Sequence, residues 1–210
     1  MKKLSIFLLV LTLAACSGKV LRVACVGDSI TEGAGLAVQS KTGYPVVLDS
    51  LLGPKYNVLN CGRSGTTLQK KGNFPYWICK EFSNTFVYKP DIIVIKLGTN
   101  DTKPYNWNAE RYEQDYQALI DTFKTIPTHP KIYLCLPVPA FKTRWDINDS
   151  TVVNGVIPAI EKIAKKNQLP VIDLYHGMSS QGKNFPDDIH PNEAGTKAMA
   201  AIIGKSITAK

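Results

Sequence analysis

Five short runs rich in Val, Ile and Leu, at residues 20–26, 56–60, 91–97, 131–136 and 169–174, alternate along this chain with longer segments of amphipathic pattern. That alternation is the strongest constraint on the fold. Parallel strands need a crossover long enough to hold a helix, and helices on both faces bury the strands, so the strands read as continuous apolar runs. The spacing predicts a helix over 108–126, where Tyr112, Tyr116, Leu119, Ile120 and Phe123 recur on one face behind Asn108 as N-cap. Further helices are expected over 44–52, stopped by Gly53-Pro54, over 152–166, and from Pro191-Asn192 through Met199 and Ile202. The 210 residues, 44% apolar and 20% charged, suffice for one core and one domain. The expected architecture is a doubly wound α/β fold around a five-stranded parallel sheet, with no internal repeat and no low-complexity linker.

In such a sheet ligands bind outside the carboxyl ends of the strands, near the point where strand order reverses. Three predicted strands run directly into small and polar residues there: Gly27-Asp28-Ser29, Cys61-Gly62-Arg63-Ser64-Gly65 and Gly98-Thr99-Asn100-Asp101. Acyl transfer by serine needs a nucleophile, a base, a group that orients the base and donors for the oxyanion. Ser29 follows the first strand, where a turn exposes its hydroxyl. His190 follows Asp187 by three residues just before the last helix, a spacing that lets the carboxylate reach one ring nitrogen while the other faces a serine. Asp173 and His176 repeat that spacing, and spacing alone does not separate the two pairs. There is no C-x-x-C and no H-E-x-x-H, so neither a metal nor a cofactor is expected.

Taken in order, Gly27-Asp28-Ser29-Ile30-Thr31, Ser64-Gly65-Thr66-Thr67, Gly98-Thr99-Asn100-Asp101 and Asp187-Asp188-Ile189-His190-Pro191-Asn192 resemble the signature of the GDSL-type, or SGNH, hydrolases. The likeness covers nearly all of the chain after its first residues. It implies a flavodoxin-like three-layer α/β/α sandwich. It also implies Ser29 as nucleophile, His190 as base and Asp187 as its partner, with an oxyanion hole made by the backbone N–H groups of Ser29 and Gly65 and the side chain of Asn100. Pro191-Asn192 and a terminal helix follow His190 and not His176, which makes His176, like His129, a surface residue. Family members commonly carry Gly where this chain has Asp188; the i−3 spacing favours Asp187 as the orienting carboxylate.

The loops beyond the strands hold Phe74, Tyr76, Trp77, Tyr105, Trp107, Phe141 and Trp145, interleaved with Lys70, Lys71, Lys103, Lys142 and Arg144. Flat rings with polar handles suit sugars. The run from Leu97 to Pro104, followed by Asn106-Trp107, is similar to a carbohydrate-deacetylating branch of the family that includes sialate O-acetylesterase-like proteins. The expected substrate is therefore a small acylated sugar or glycan, such as sialic acid, acetylated plant polysaccharide or another glycan, with Asp28, Trp77, Lys103 and Trp107 as candidate contacts. A lysophospholipase or thioesterase of the same family is the first alternative. A glycan-binding lipoprotein without catalysis is the second.

Lys2 and Lys3 precede an apolar run over 4–15 that is too short to span a bilayer, the pattern of a secretion signal. Leu13-Ala14-Ala15-Cys16 resembles the lipobox of bacterial lipoproteins, which implies a signal peptide over 1–15, a lipid on Cys16, a tether over 16–19 and a single hydrolase domain over 20–210. The residues after Cys16 are not acidic, so an outer-membrane lipoprotein facing the periplasm is expected, touching the membrane through its lipid alone. The formal charge is +8; an exported location makes nucleic acid the least suited partner for it. Cys25 and Cys135 lie inside apolar runs, and no obligatory disulfide is expected among Cys25, Cys61, Cys79 and Cys135.

Overall fold

The computed structural model describes residues 19–209; the expected signal segment and Cys16 lie outside the described residues. Five parallel strands, β1 (Leu21–Gly27), β2 (Tyr56–Gly62), β3 (Ile92–Lys96), β4 (Lys131–Leu136) and β5 (Val171–Asp173), form one sheet in the order β2-β1-β3-β4-β5. The helices are α1 (Ser29–Glu32), α2 (Gln39–Thr42), α3 (Tyr44–Leu52), α4 (Lys80–Tyr88), α5 (Ala109–Lys124), α6 (Asp149–Thr151), α7 (Ile157–Asn167), α8 (Leu174–Met178) and α9 (Glu193–Thr208). This is the expected three-layer arrangement.

Side-chain alternation along the strands divides the core in two. Ala24, Val26, Ile93, Ile95, Ile132 and Leu134 pack beneath α5 and α7, with Phe82 and Phe86 of α4 against the same layer. Val23, Cys25, Ile92, Val94, Tyr133 and Cys135 face α3, α8 and α9 through Tyr44, Leu48, Leu174, Met199 and Ile203. Adjacent residues thus serve opposite layers, which is why the central strands carry no polar face. The four thiols after Cys16 are free and buried within this packing. Burial pushes Cys61 up to about 11 and Cys135 up to about 12, so these groups act as small neutral hydrophobes.

Two elements differ from expectation for local reasons. The strand expected over 169–174 shrinks to Val171–Asp173, because the Asp173 side chain accepts the His176 N–H and starts α8. The helix expected over 152–166 contains a wider π turn, Val152–Val156, before it continues as α7. Within that turn Gly155 lies against the Trp107 indole, where a Cβ would fall 2.4 Å from a ring carbon. Elsewhere α3 covers the expected residues, and Asn108 caps α5 by accepting the Arg111 N–H.

The order of the strands puts the reversal between β1 and β3, the two strands that end in Gly27 and Lys96. The loops after β1, β2 and β3 therefore open on one rim.

Candidate active site

The turn after β1 is held from below. Asp28 caps α1 by accepting the Ile30 N–H at 3.0 Å, and Ser29 is the first residue of that helix. Both Asp28 carboxylate oxygens meet Lys96 Nζ, at 3.0 and 3.1 Å, and the same ammonium donates to Thr99 Oγ1 at 2.8 Å. Asp28 and Lys96 are fully buried. Burial lowers the Lys96 pKa, partly offset by the neighbouring Asp28. Asp28, expected as a substrate contact, is instead a structural anchor beneath Ser29, since its oxygens are already occupied.

Glycines let the elements close around this turn. A Cβ on Gly62 would stand 2.2 Å from the Glu32 nitrogen, so the end of β2 lies directly against the backbone of α1. Glu32, at the end of that helix, accepts the N–H and the hydroxyl of Ser64. Gly65 follows at φ +80°, a left-handed conformation that L side chains rarely adopt. The loop bearing Gly65 is tied in turn to the β3 loop: Asp101 accepts the N–H groups of Leu68 and Gln69 at 2.8 and 2.9 Å. Asn100 donates one amide hydrogen to Thr66 O at 3.1 Å, which leaves its second available.

His190 approaches from the segment between α8 and α9. Asp187 Oδ1 accepts the N–H groups of Ile189 and His190, and Oδ2 lies 2.8 Å from His190 Nδ1. The far ring nitrogen, Nε2, is 2.8 Å from Ser29 Oγ. Burial opposes ionisation of Asp187, but the hydrogen bonds from His190 and Ile189 outweigh it and hold the carboxyl below its usual range. Asp188 points elsewhere, to Lys142 Nζ at 3.4 Å, and its φ of +68° explains why glycine suits this position.

Asp173 and His176 form the same local pair, with Nδ1 and Oδ2 2.8 Å apart, yet the His176 side chain is 74% exposed and does not face Ser29. The i−3 spacing makes the pair; only the position in the fold selects one of the two.

Ser29, Gly65, Asn100 and His190 line one cavity of about 220 Å³, together with Ala34, Ser64, Lys103, Trp145 and Ile147. Lys103, a candidate contact, is at the cavity. Trp77 and Trp107 are not: the Trp77 indole donates to Leu68 O and packs on Phe82, and Trp107 packs on Tyr112. Both are partly buried supports of the core. Three contributors fall outside the expected site residues: Trp145 belongs to the loop aromatics but to no motif, Glu32 carries no pattern signal, and Lys96 is a lone cation ending an apolar strand.

Residues 25–198 match the model of the GDSL-like lipase/acylhydrolase family. The chain belongs to that family. It is 41% identical over 206 residues to an acetylxylan esterase of Xylanibacter ruminicola, covering 89% of this chain and 43% of the relative, so it spans less than half of that relative's length. Among solved structures, a lipase/acylhydrolase from Enterococcus faecalis aligns with a TM-score of 0.72 at 22% identity, over 89% of this chain and 95% of that one. An acetyl xylan esterase aligns with a TM-score of 0.71 at 21% identity, over 89% of this chain and all of that one. These likenesses carry the fold.

Proposed function

We propose that this chain is a serine esterase that removes acetyl groups from carbohydrate hydroxyls through an acyl-enzyme on Ser29. The observation that carries the reading is the line Asp187 Oδ2, His190 Nδ1, His190 Nε2, Ser29 Oγ, with 2.8 Å at each contact between residues. In this reading His190 takes the Ser29 proton as Oγ attacks the ester carbonyl. The oxyanion is held by the N–H groups of Ser29 and Gly65 and the free amide hydrogen of Asn100. Collapse breaks the bond to the sugar oxygen, which leaves with the proton from His190. Water, deprotonated by His190, then attacks the acyl carbonyl and releases acetate and Ser29.

A short acyl group suits the shallow cavity of about 220 Å³, which Ala34 and Ile147 line beside Ser29. A long acyl chain of a lysophospholipid or thioester needs a deeper groove. The intact hydrogen-bonded line argues against the non-catalytic glycan binder. The relative named for acetylxylan puts acetylated xylan first as carrier. O-acetylated sialic acid comes second, on the strength of Lys103 in the cavity wall, a cation that a sugar carboxylate would meet.

The test compares p-nitrophenyl esters of rising chain length, acetylated xylan and O-acetylated sialic acid, with wild type and Ser29→Ala. Hydrolysis that peaks at acetyl and vanishes in the variant is expected. Turnover retained by Ser29→Ala defeats the mechanism, and a preference for long chains defeats the acetyl-sugar reading. We also propose that Cys16 anchors the exported chain through lipid to the periplasmic face of the outer membrane. Radiolabelled palmitate incorporated by wild type but equally by Cys16→Ser would sink that anchor.

A further inference from the structure

Trp145 sits at the tip of a two-residue turn. Arg144 N–H donates to Ile147 O at 3.1 Å and Ile147 N–H donates back to Arg144 O at 2.9 Å, closing a tight antiparallel link around Trp145 and Asp146. Both enclosed residues have positive φ, +48° and +63°. Such turns call for Asn-Gly or similar pairs, because a bulky side chain in the left-handed region crowds its own backbone. A tryptophan there is held against its local preference, and strain of that kind clusters at ligand sites.

The base of the turn is fastened to both halves of the catalytic arrangement. Ile147 is buried against Ala140 and Ile189, the neighbour of His190. Asn148 Nδ2 donates to Thr102 O at 3.1 Å, two residues beyond Asn100. The turn thus lies between the segment that carries the base and the segment that carries the oxyanion donor. Its indole stands 5.5 Å from the His190 ring, centroid to centroid, with the planes inclined by 50°. The Arg144 guanidinium lies 5.3 Å from the ring centre and helps hold it. Yet Trp145 remains 52% exposed while lining the Ser29 cavity. An indole serving only as packing would be covered, as Trp77 and Trp107 largely are.

We propose that Trp145 is the platform for the sugar ring of the leaving group: the apolar face of a pyranose stacks on the exposed indole while its acetyl ester enters the cavity beside it. This rests on the acetyl-sugar reading above. His190 must protonate the departing sugar oxygen, so that oxygen lies within hydrogen-bond reach of Nε2 in the reacting complex. The sugar attached to it is then carried past the imidazole, and Trp145 is the aromatic surface adjoining that ring. The acetyl group is too small to orient the substrate alone, so ring stacking supplies alignment as well as affinity.

The variant that separates function from folding is Trp145→Asn, because asparagine suits a left-handed turn position and removes the indole. It is compared with wild type and Trp145→Tyr on a mono-acetylated methyl xylopyranoside and on ethyl acetate, which has no ring to stack. For Trp145→Asn a KM about ten-fold higher on the pyranoside is expected, with a loss in kcat/KM several-fold smaller on ethyl acetate than on the pyranoside. Trp145→Tyr should recover most of the loss, and the melting temperature of Trp145→Asn should not fall. Unaltered kinetics on the pyranoside, or an equal loss on both esters, overturns the platform. A wild type that cleaves ethyl acetate but no acetylated pyranoside overturns the acetyl-sugar reading itself.

Discussion

Lys96 lies beneath the Ser29 turn and Asn100 lines the cavity beside it, and each affects the reaction differently. Lys96 is fully buried and its ammonium is shared between Asp28 and Thr99. Truncating it leaves the Asp28 carboxylate buried without its counter-ion, a loss that typically costs about 3–5 kcal/mol. Replacing both charges at once avoids that penalty, and asparagine at position 28 can still cap α1. Urea denaturation should therefore find Lys96→Met strongly destabilised and Asp28→Asn/Lys96→Met substantially recovered; equal stability of the two would remove the buried pair from the account. Asn100 ties its loop to Thr66 O, and its effect on the reaction is expected chiefly in the transition state. Asn100→Ala should lower kcat by roughly 10²–10³-fold with KM nearly unchanged. Steady-state kinetics on p-nitrophenyl acetate would decide this, and a loss confined to KM would move Asn100 out of the oxyanion hole.

Packing of β2 against α1 is where element geometry reaches the site. The Gly62 Cα lies so close to the α1 backbone that a Cβ would meet the Glu32 nitrogen at 2.2 Å and the Thr31 carbonyl carbon at 2.6 Å. Backbone atoms cannot swing aside as a side chain can, so Gly62→Ala must push the strand end and the helix apart. A loss of about 2–3 kcal/mol in stability is expected, along with reduced kcat, because Ser29 begins that helix and Gly65 follows that strand. Thermal melting and kinetics measured on the same preparation would refute this if Tm held while kcat stayed at the wild-type value. The contact shows what periodicity can and cannot carry. The strands at 131–136 and the helices around Tyr112 and Leu48 were readable because their apolar spacing spans several turns or a whole strand. Four-residue α1 has no period to detect, and Asp173 ended β5 through one side-chain bond that no apolar pattern announces. The site divides the same way. Ser29, Asn100, Asp187 and His190 stand in ordered motifs, whereas Trp145 reaches the cavity, and Glu32 the neighbouring Ser64, through tertiary contacts alone. Trp77 and Trp107 resembled ligand contacts for the converse reason: an aromatic residue in a loop reads alike whether its ring faces the site or the core.

Across the whole domain, the pH dependence of stability follows from carboxyls whose environments oppose one another. Asp101 is fully buried where it ties the β2 loop to the β3 loop, and burial raises its pKa to about 6, against the hydrogen bonds from Gln69 and Leu68 that favour its charged form. The native state therefore holds this proton at a pH where the unfolded chain, titrating near 4, has released it. That contribution is fully present below the unfolded value and is lost as pH rises through about 6, a decline of about 3 kcal/mol. Asp187 and Asp91 act in the other sense. Burial opposes their charge, but hydrogen bonds from His190 and Ile189, and from Arg22 and Lys19, hold them below the usual range. Their contribution is present above the unfolded value and fails only as pH falls through the lowered one. Asp101→Asn isolates the first effect: it keeps the shape, removes the titration, and leaves one backbone N–H poorly matched by a cost that does not vary with pH. Urea denaturation between about pH 4.5 and 7.5 should show wild-type stability falling relative to the variant as pH rises, with most of the change complete by about pH 7. If the two curves ran parallel, the buried carboxyl would be ionised throughout, and the bonds from Leu68 and Gln69 would fully offset its burial.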